Sequence, residues 1–293
     1  MSEAGHLDTP GAAPVDMKKE MLDAATVLSG TAPARSGPKG RSTSTTSDLS
    51  IDEEIALHSI GWEPIELVCG VSLHSIPMGV WNWGQGEITW ASNAYASAFA
   101  AATDRIHRQC AKAGGHGVVG VHVEPTVHRN HVDIALTGTA VRPVSSKALS
   151  AEAVFVSDLS GRDFALLTTS GWAPVGLAVG ASFVYAPRRT AGVAIKQKSQ
   201  NVELTNFTEA MYSARESAME RMQRTAIAMR GSGVVEVKVT EGPMDFAHHA
   251  IGFAAYGTVV RLVADAHQPL EVRMVLPLDD PVLAFDATSL RGG

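Results

Sequence analysis

"SDLSGRDFALLTTSGWAP", residues 157–174, rewrites "SDLSIDEEIALHSIGWEP", residues 47–64, 110 positions later and without a gap. Ser47, Asp48, Leu49 and Ser50 recur in the later stretch, as do Gly61, Trp62 and Pro64. The likeness runs on through Leu67, Gly70 and Ser72 to Pro77, which answers to Pro187. Further along, "ATDRIHRQCAKAGGHGVVG" (102–120) lies over "AMERMQRTAIAMRGSGVVE" (218–236), and "GTAVR" (138–142) over "GTVVR" (257–261). The offset grows by a few residues on the way, as it does when loops lengthen in the later copy. Self-similarity on this scale is the mark of a duplicated structural unit, and it governs everything else in the chain.

Working outward, the first copy occupies 47–142 and the second 157–262, with a linker at 143–156. Residues 1–46 are rich in Pro, Gly, Ser and Thr and have little to bury, so a disordered tail is expected there. Within it "MKKEMLDAATVLS" (17–29) is a short helix candidate, or a segment that orders on a protein partner. Residues 263–293 form a C-terminal extension whose alternating "LEVRMVL" predicts one more strand.

Each copy reads strand, helix, strand, strand. Ile65, Leu67, Cys69, Val71 and Leu73 alternate, matched by Val175, Leu177, Val179, Ala181 and Phe183, and this face is expected to be the core side of the first strand. Phe99, Ala102, Ile106, Cys110 and Ala113 share one helix face, as do Ala218, Met222, Ala226 and Met229. Gly115 and Gly231 are expected to stop the helices in the left-handed conformation. "GVVGVHVEPTV" and "HVDIALTGTAV" then make a hairpin around Arg129-Asn130. Its pairing puts Val119, Val121, Val123, Ile134 and Leu136 on one face, and His122, Glu124, Asp133 and Thr137 on the other. The fold class is α+β, with a helix packed on a small antiparallel sheet in each copy. So small a unit has exposed edge strands, which assembly of copies would pair.

Composition narrows the function. A 293-residue chain with 45% hydrophobic and 18% charged residues suits packed globular domains. A formal charge of −6 argues against a nucleic-acid partner. Two cysteines make no disulfide scaffold and suit a reducing compartment. The N-terminus lacks a signal-peptide pattern and no apolar run approaches the roughly 20 residues of a membrane span, so a cytoplasmic protein is expected.

The run from the helix through "AGGHGVVGVHV" to "ALTGTAV" resembles the YbjQ-like family, often labelled heavy-metal-binding. "GSGVVEVKV" to "AAYGTVV" in the second copy resembles it less closely, and the "SDLS…GWEPIELVCG" lead-in resembles actinobacterial tandem versions. The resemblance implies a dodecin-like β-α-β-β subunit that closes into a five-membered ring, and hence a homo-oligomer, with a pentamer as the expected state. Five is odd, so whole two-copy chains would either stack a ring of first copies on a ring of second copies or alternate around a larger ring. The stacked arrangement of five chains is the expectation, because each copy then keeps the packing the resemblance implies.

For chemistry, the histidines offer the best case. His122, His128 and His131 lie in one hairpin with Glu124 and Asp133 nearby, and imidazole with carboxylate suits zinc or copper. Against this, His122 and Glu124 become Lys238 and Thr240 in the second copy, and solvated turn histidines explain the set equally. His248-His249 are adjacent and point apart on a strand. "GHGVVG" (115–120) fits G-x-G-x-x-G in letters, but it follows a helix and precedes a strand, the reverse of a dinucleotide loop. Cys69 and Cys110 read as small buried hydrophobes. Arg105 and Arg108 recur as Arg221 and Arg224, which suits either helix-surface pairs or ion pairs between neighbouring copies. No H-E-x-x-H, C-x-x-C, P-loop or nucleophile elbow is present, so the expected function is non-enzymatic assembly or binding, with metal binding as the alternative.

Overall fold

The computed structural model describes residues 46–76, 86–144, 153–187, 203–244 and 249–267. The expected tail, apart from its last residue, falls outside this set, as do the "LEVRMVL" strand and His248. Among the described residues the fold is mixed α+β, with four helices and two four-stranded sheets. In chain order these are α1 (Ile51–Ser59), β1 (Trp62–Ser75), β2 (Gly86–Glu87), α2 (Thr89–Ala113), β3 (Gly117–Val127), β4 (His131–Pro143), β5 (Phe155–Val156), α3 (Gly161–Thr169), β6 (Trp172–Tyr185), α4 (Thr205–Ala228), β7 (Gly233–Pro243) and β8 (Ala250–Leu262). No helix among them is long and apolar enough to cross a membrane.

The sheets run β1-β4-β3-β5 and β2-β6-β8-β7. Their registers break at matching places: Pro64/Glu66 and Pro174/Gly176 on the first long strands, Val119/His122 and Val235/Lys238 on the hairpins. Two features go beyond a strand-helix-strand-strand reading. A lead-in helix opens each copy, capped by Ser50 with Glu53 in a capping box and by Ser160, whose side chain accepts from the Asp163 N–H. Short strands are also exchanged: β2 pairs with β6 of the other sheet, and β5 pairs in parallel with β3.

The core side of β1 and β6 is the opposite of the one expected. Val68, Gly70 and Ser72 face α2, and Ala178, Gly180 and Ser182 face α4. The helices present mostly small residues there, Ala98, Ala102 and Ile106 in one and Ala214, Ala218 and Met222 in the other, so backbone lies close to backbone. Cys69 sits on the other face and is exposed, which corrects the expectation that it is buried. Cys110 is buried, donates to Gly117 O at 3.3 Å, and has its thiol pushed up to about 12 by burial. The hairpin also departs from simple alternation. Gly120 takes φ 64 as a bulge, so Val119 packs with Leu57 and Phe164 whereas Val121 joins the α2 core. At the same place in β7 stands Glu236, with φ 53.

The helix stops differ by one residue from expectation. Gly114 (φ 82) and Arg230 (φ 57) take the left-handed position, not Gly115 and Gly231. The latter glycines are needed for space: a Cβ on Gly115 would stand 2.5 Å from Cys110 Sγ, and one on Gly231 would strike Val259. Gly115→Val and Gly231→Val are each expected to cost about 1–3 kcal/mol by overpacking. Thermal denaturation checks this, and unchanged melting for both would remove the close-packing account.

Candidate functional site

Where the two sheets meet, sequence repetition becomes a physical junction. Leu177, Ala181 and Phe183, on the face of β6 turned away from its own helix, pack against α2. Tyr95 of α2 lies with its ring 6.0 Å from Phe183. The second SDLS stretch then lies along the bulge of β3. Val121 N–H donates to Ser157 O (3.0 Å), Ser157 N–H to Val118 O (2.9 Å) and Gly120 N–H to Leu159 O (2.7 Å). Asp158 N–H donates to Thr258 Oγ1 at 3.0 Å, just as Asp48 N–H donates to Thr139 Oγ1 at 3.0 Å. The Asp158 side chain is fully buried, accepts from Thr258 and faces Lys238 at 3.3 Å. Burial opposes the Lys238 charge, but Asp158 and then Glu236 outweigh it and hold the ammonium above its ordinary range.

Charges cross this junction too. Arg221 of α4 bonds Ala181 O (2.6 Å) and Glu87 (2.8 Å), and Ser92 also donates to Glu87 (2.8 Å). Burial would raise the Glu87 carboxyl; the hydrogen bonds from Arg221 and Ser92 prevail and hold it below its ordinary range. Helices α1 and α3 meet through the Arg162–Asp52 ion pair and Gly161 N–H donating to Glu53 (3.1 Å). Beneath them Phe164 stacks edge-on to Trp62 at 5.0 Å. Of the recurring arginines, Arg221 bridges the two copies. Arg108 and Arg224 pair within their own helices, with Asp104 (2.5 Å) and Glu220 (2.6 Å). A groove of about 680 Å³ lies between α2, β6 and α4, walled by Phe99, Leu177, Val179 and Met229 with Thr103 and His107. Sequence patterning gave no sign of it, since its walls come from both copies.

Matched elements differ sharply in exposure across the chain. Ser157, Asp158 and Leu159 are buried, while Asp48 is exposed and Ser47 and Leu49 are half-buried. β6 is buried nearly throughout, yet on β1 Leu67 and Leu73 are 40% and 47% exposed. β3 buries Val119, Val121 and Val123, yet β7 leaves Val237 and Val239 exposed. Isolated exposed apolar residues are ordinary, but these four stand at positions whose counterparts, Leu177, Phe183, Val121 and Val123, are buried at the junction.

The candidate metal ligands fall into two groups. His128 and His131 stand together at the end of the β3–β4 hairpin, rings stacked at 4.3 Å, each reaching Asp133 through Nε2 at 3.2 and 3.4 Å. Ligand atoms of these three residues lie within 4.8 Å of one another. His131 Nδ1 is held by Asn130 Oδ1 at 2.7 Å, an arrangement that orients an imidazole for ligation through Nε2. His122 and Glu124 lie farther along β3, opposite Thr137 and Ala135, exposed and outside the cluster. "GHGVVG" runs from the end of α2 into β3, with His116 N–H donating to Val141 O at 2.8 Å, so its amides serve the sheet.

The YbjQ family, described as "Putative heavy-metal-binding", matches residues 192–263, which fall mainly in the second copy, the one whose motif looked less close. The encapsulin nanocompartment protein Rv1762c of Mycobacterium tuberculosis is 33% identical over 242 residues, covering 80% of this chain and 92% of its own. A UPF0145 protein of Halorubrum lacusprofundi is 38% identical over 77 residues, 25% of this chain and 72% of its own. No solved structure matches. Residues 192–263 carry a YbjQ-like segment, and over 80% of its length the chain belongs to the same family as the mycobacterial encapsulin nanocompartment protein.

Proposed function

We propose that this chain is a non-enzymatic, self-assembling cytoplasmic protein built from two duplicated YbjQ-like units, working in association with an encapsulin nanocompartment. The observation that carries the assembly reading is the unequal exposure of matched elements. An SDLS stretch and a sheet face are covered at the junction inside the chain, while the matching stretch and face of the first copy are more exposed. The link to a nanocompartment is supported by the name of the mycobacterial relative, which this chain matches over nearly that protein's whole length. Light scattering of the full chain at micromolar concentration is expected to give at least three times the 30.8 kDa chain mass. The five-chain state implied by the resemblance lies in that range. A monomer or simple dimer would overturn the assembly reading, and failure to co-purify with a co-expressed encapsulin shell would overturn the association.

A second reading is favoured by one observation, the convergence of His128, His131 and Asp133. Two imidazoles and a carboxylate suit zinc or copper with a coordination position left over for a further ligand. Protein purified without a histidine tag is expected to carry about one zinc or copper per chain by elemental analysis. The double substitution His128→Ala and His131→Ala should abolish that content and leave the chain mass state unchanged. Metal-free wild-type protein after equilibration with zinc rejects this reading without touching the first.

A further inference from the structure

Two surfaces meet inside the chain, and their counterparts are both exposed. One, the front, consists of the outer side of a long helix, the inner side of the hairpin strand and its bulged edge. The other, the back, is the outer sheet face with the SDLS stretch beside it. The front of the first copy (α2, β3) is filled by the back of the second (β6, β8, 157–160). This leaves the front of the second copy and the back of the first, which keep part of that apolar character, while Phe99 answers to the exposed Arg215 and Tyr256 to Thr137. Val237 and Val239 of β7 stand where Val121 and Val123 are buried, and Leu67 and Leu73 of β1 stand where Leu177 and Phe183 are buried.

We infer that chains join head to tail by repeating this junction between molecules, so that first and second copies alternate strictly around a closed ring. The partner is a second copy of this chain, and the inference rests on the self-assembly proposed above. Residues 47–49 of one chain then add to the open β7 edge of its neighbour at Val234–Val237, as 157–159 add to β3 at Val118–Val121. A head-to-tail contact makes a ring when its rotation closes and a filament when it does not, and a closed ring is the arrangement inferred here.

Charge supports alternation over stacked rings of like copies. Glu87 of the first front reaches Arg221 of the second back. The counterparts are Glu203 and Arg105, both exposed, and no carboxylate pairs with Arg105 among the described residues. A neighbour's Glu203 would meet Arg105 in the repeated junction. Asp52 pairs with Arg162, which occupies the same position in the other copy. A ring of first copies alone would set Asp52 against Asp52, and a ring of second copies Arg162 against Arg162, whereas alternation sets opposite charges at every contact. The two-tier arrangement meets a second obstacle: the front of the first copy is already occupied by the second copy of the same chain.

The test uses two full-length variants. Leu67→Asp with Leu73→Asp spoils only the back, and Val237→Asp with Val239→Asp only the front. Each alone should be a folded monomer by circular dichroism and light scattering. An equimolar mixture should give a species of twice the chain mass, because one intact front and one intact back remain. An oligomeric wild type with no recovery in the mixture overturns head-to-tail alternation while sparing self-assembly, as does either variant alone staying oligomeric. A monomeric wild type overturns both. Should an aspartate variant not fold, the exposed pair supplies the same test: Glu203→Arg or Arg105→Glu singly weakens association at least about tenfold, and the double swap restores it. Absence of restoration counts against the junction.

Discussion

Gly180→Val is expected to destabilise the native state by about 3 kcal/mol or more. A Cβ at this position falls inside contact distance of Ala218 O and stands 2.6 Å from Met222 N, so the obstacle is backbone, not a side chain that can rotate aside. Relief requires lifting α4 from β6, which opens the packing of Ala178, Ala214, Ala218 and Met222 together. Overpacking in a core typically costs about 1–3 kcal/mol, and a rigid backbone obstacle belongs at or above the top of that range. Against a total stability of about 5–15 kcal/mol this is a large fraction. Gly70→Val should behave alike, since its Cβ meets Ala102 O and stands 2.9 Å from Ile106 N. Chemical denaturation of Gly180→Ala, the mildest version, gives a measurable value; a loss below about 1 kcal/mol there would show that helix and strand separate freely.

Phe164→Ala is the second large effect, and its location differs. Phe164 is 1% exposed and packs with Trp62, Phe155, Leu57 and Val119, so one ring joins α3 to the first copy's sheet. Removing a buried phenylalanine side chain costs about 3–5 kcal/mol. Urea denaturation should show that loss, accompanied by increased quenching of Trp62 fluorescence as the junction loosens. The Leu166→Ala control, on an exposed position of the same helix, should lie within about 0.5 kcal/mol of wild type. Equal effects from the two would mean that α3 does not lean on the first copy.

The duplication and the class of each long element were readable because a period of two or of about four residues survives in each copy. Which side of β1 meets the helix was not, since alternation marks an apolar face without saying what covers it. The odd-numbered face of β6 is apolar because it serves the junction, and the even-numbered face of both strands is small because a helix backbone lies on it. Gly70, recurring as Gly180, held that information: glycine inside a strand marks close backbone approach. Helix α1 went unread, although Ser50 and Glu53 stand at capping-box spacing. Strands β2 and β5 had no such sign, being two residues each and fixed only by the sheet they join. At the hairpin end, His128 and His131 were legible as a pair. Asp133 completes their cluster in place of Glu124 because the strand pairing carries it to the turn, opposite Thr126.

The exchanged strands have a consequence for the chain as a piece of engineering. β2 precedes α2 in sequence yet completes the sheet of β6, and β5 follows β4 yet opens the way to α3 after pairing with β3. Each half therefore carries a part that belongs to the other. Severing the chain between residues 144 and 153 would not yield two independent proteins; it would yield a natural split pair, each fragment a specific binder of its complement. Fused to the two pieces of a divided reporter, such halves would act as a self-contained reassembly tag whose specificity is written in backbone pairing as well as in side chains.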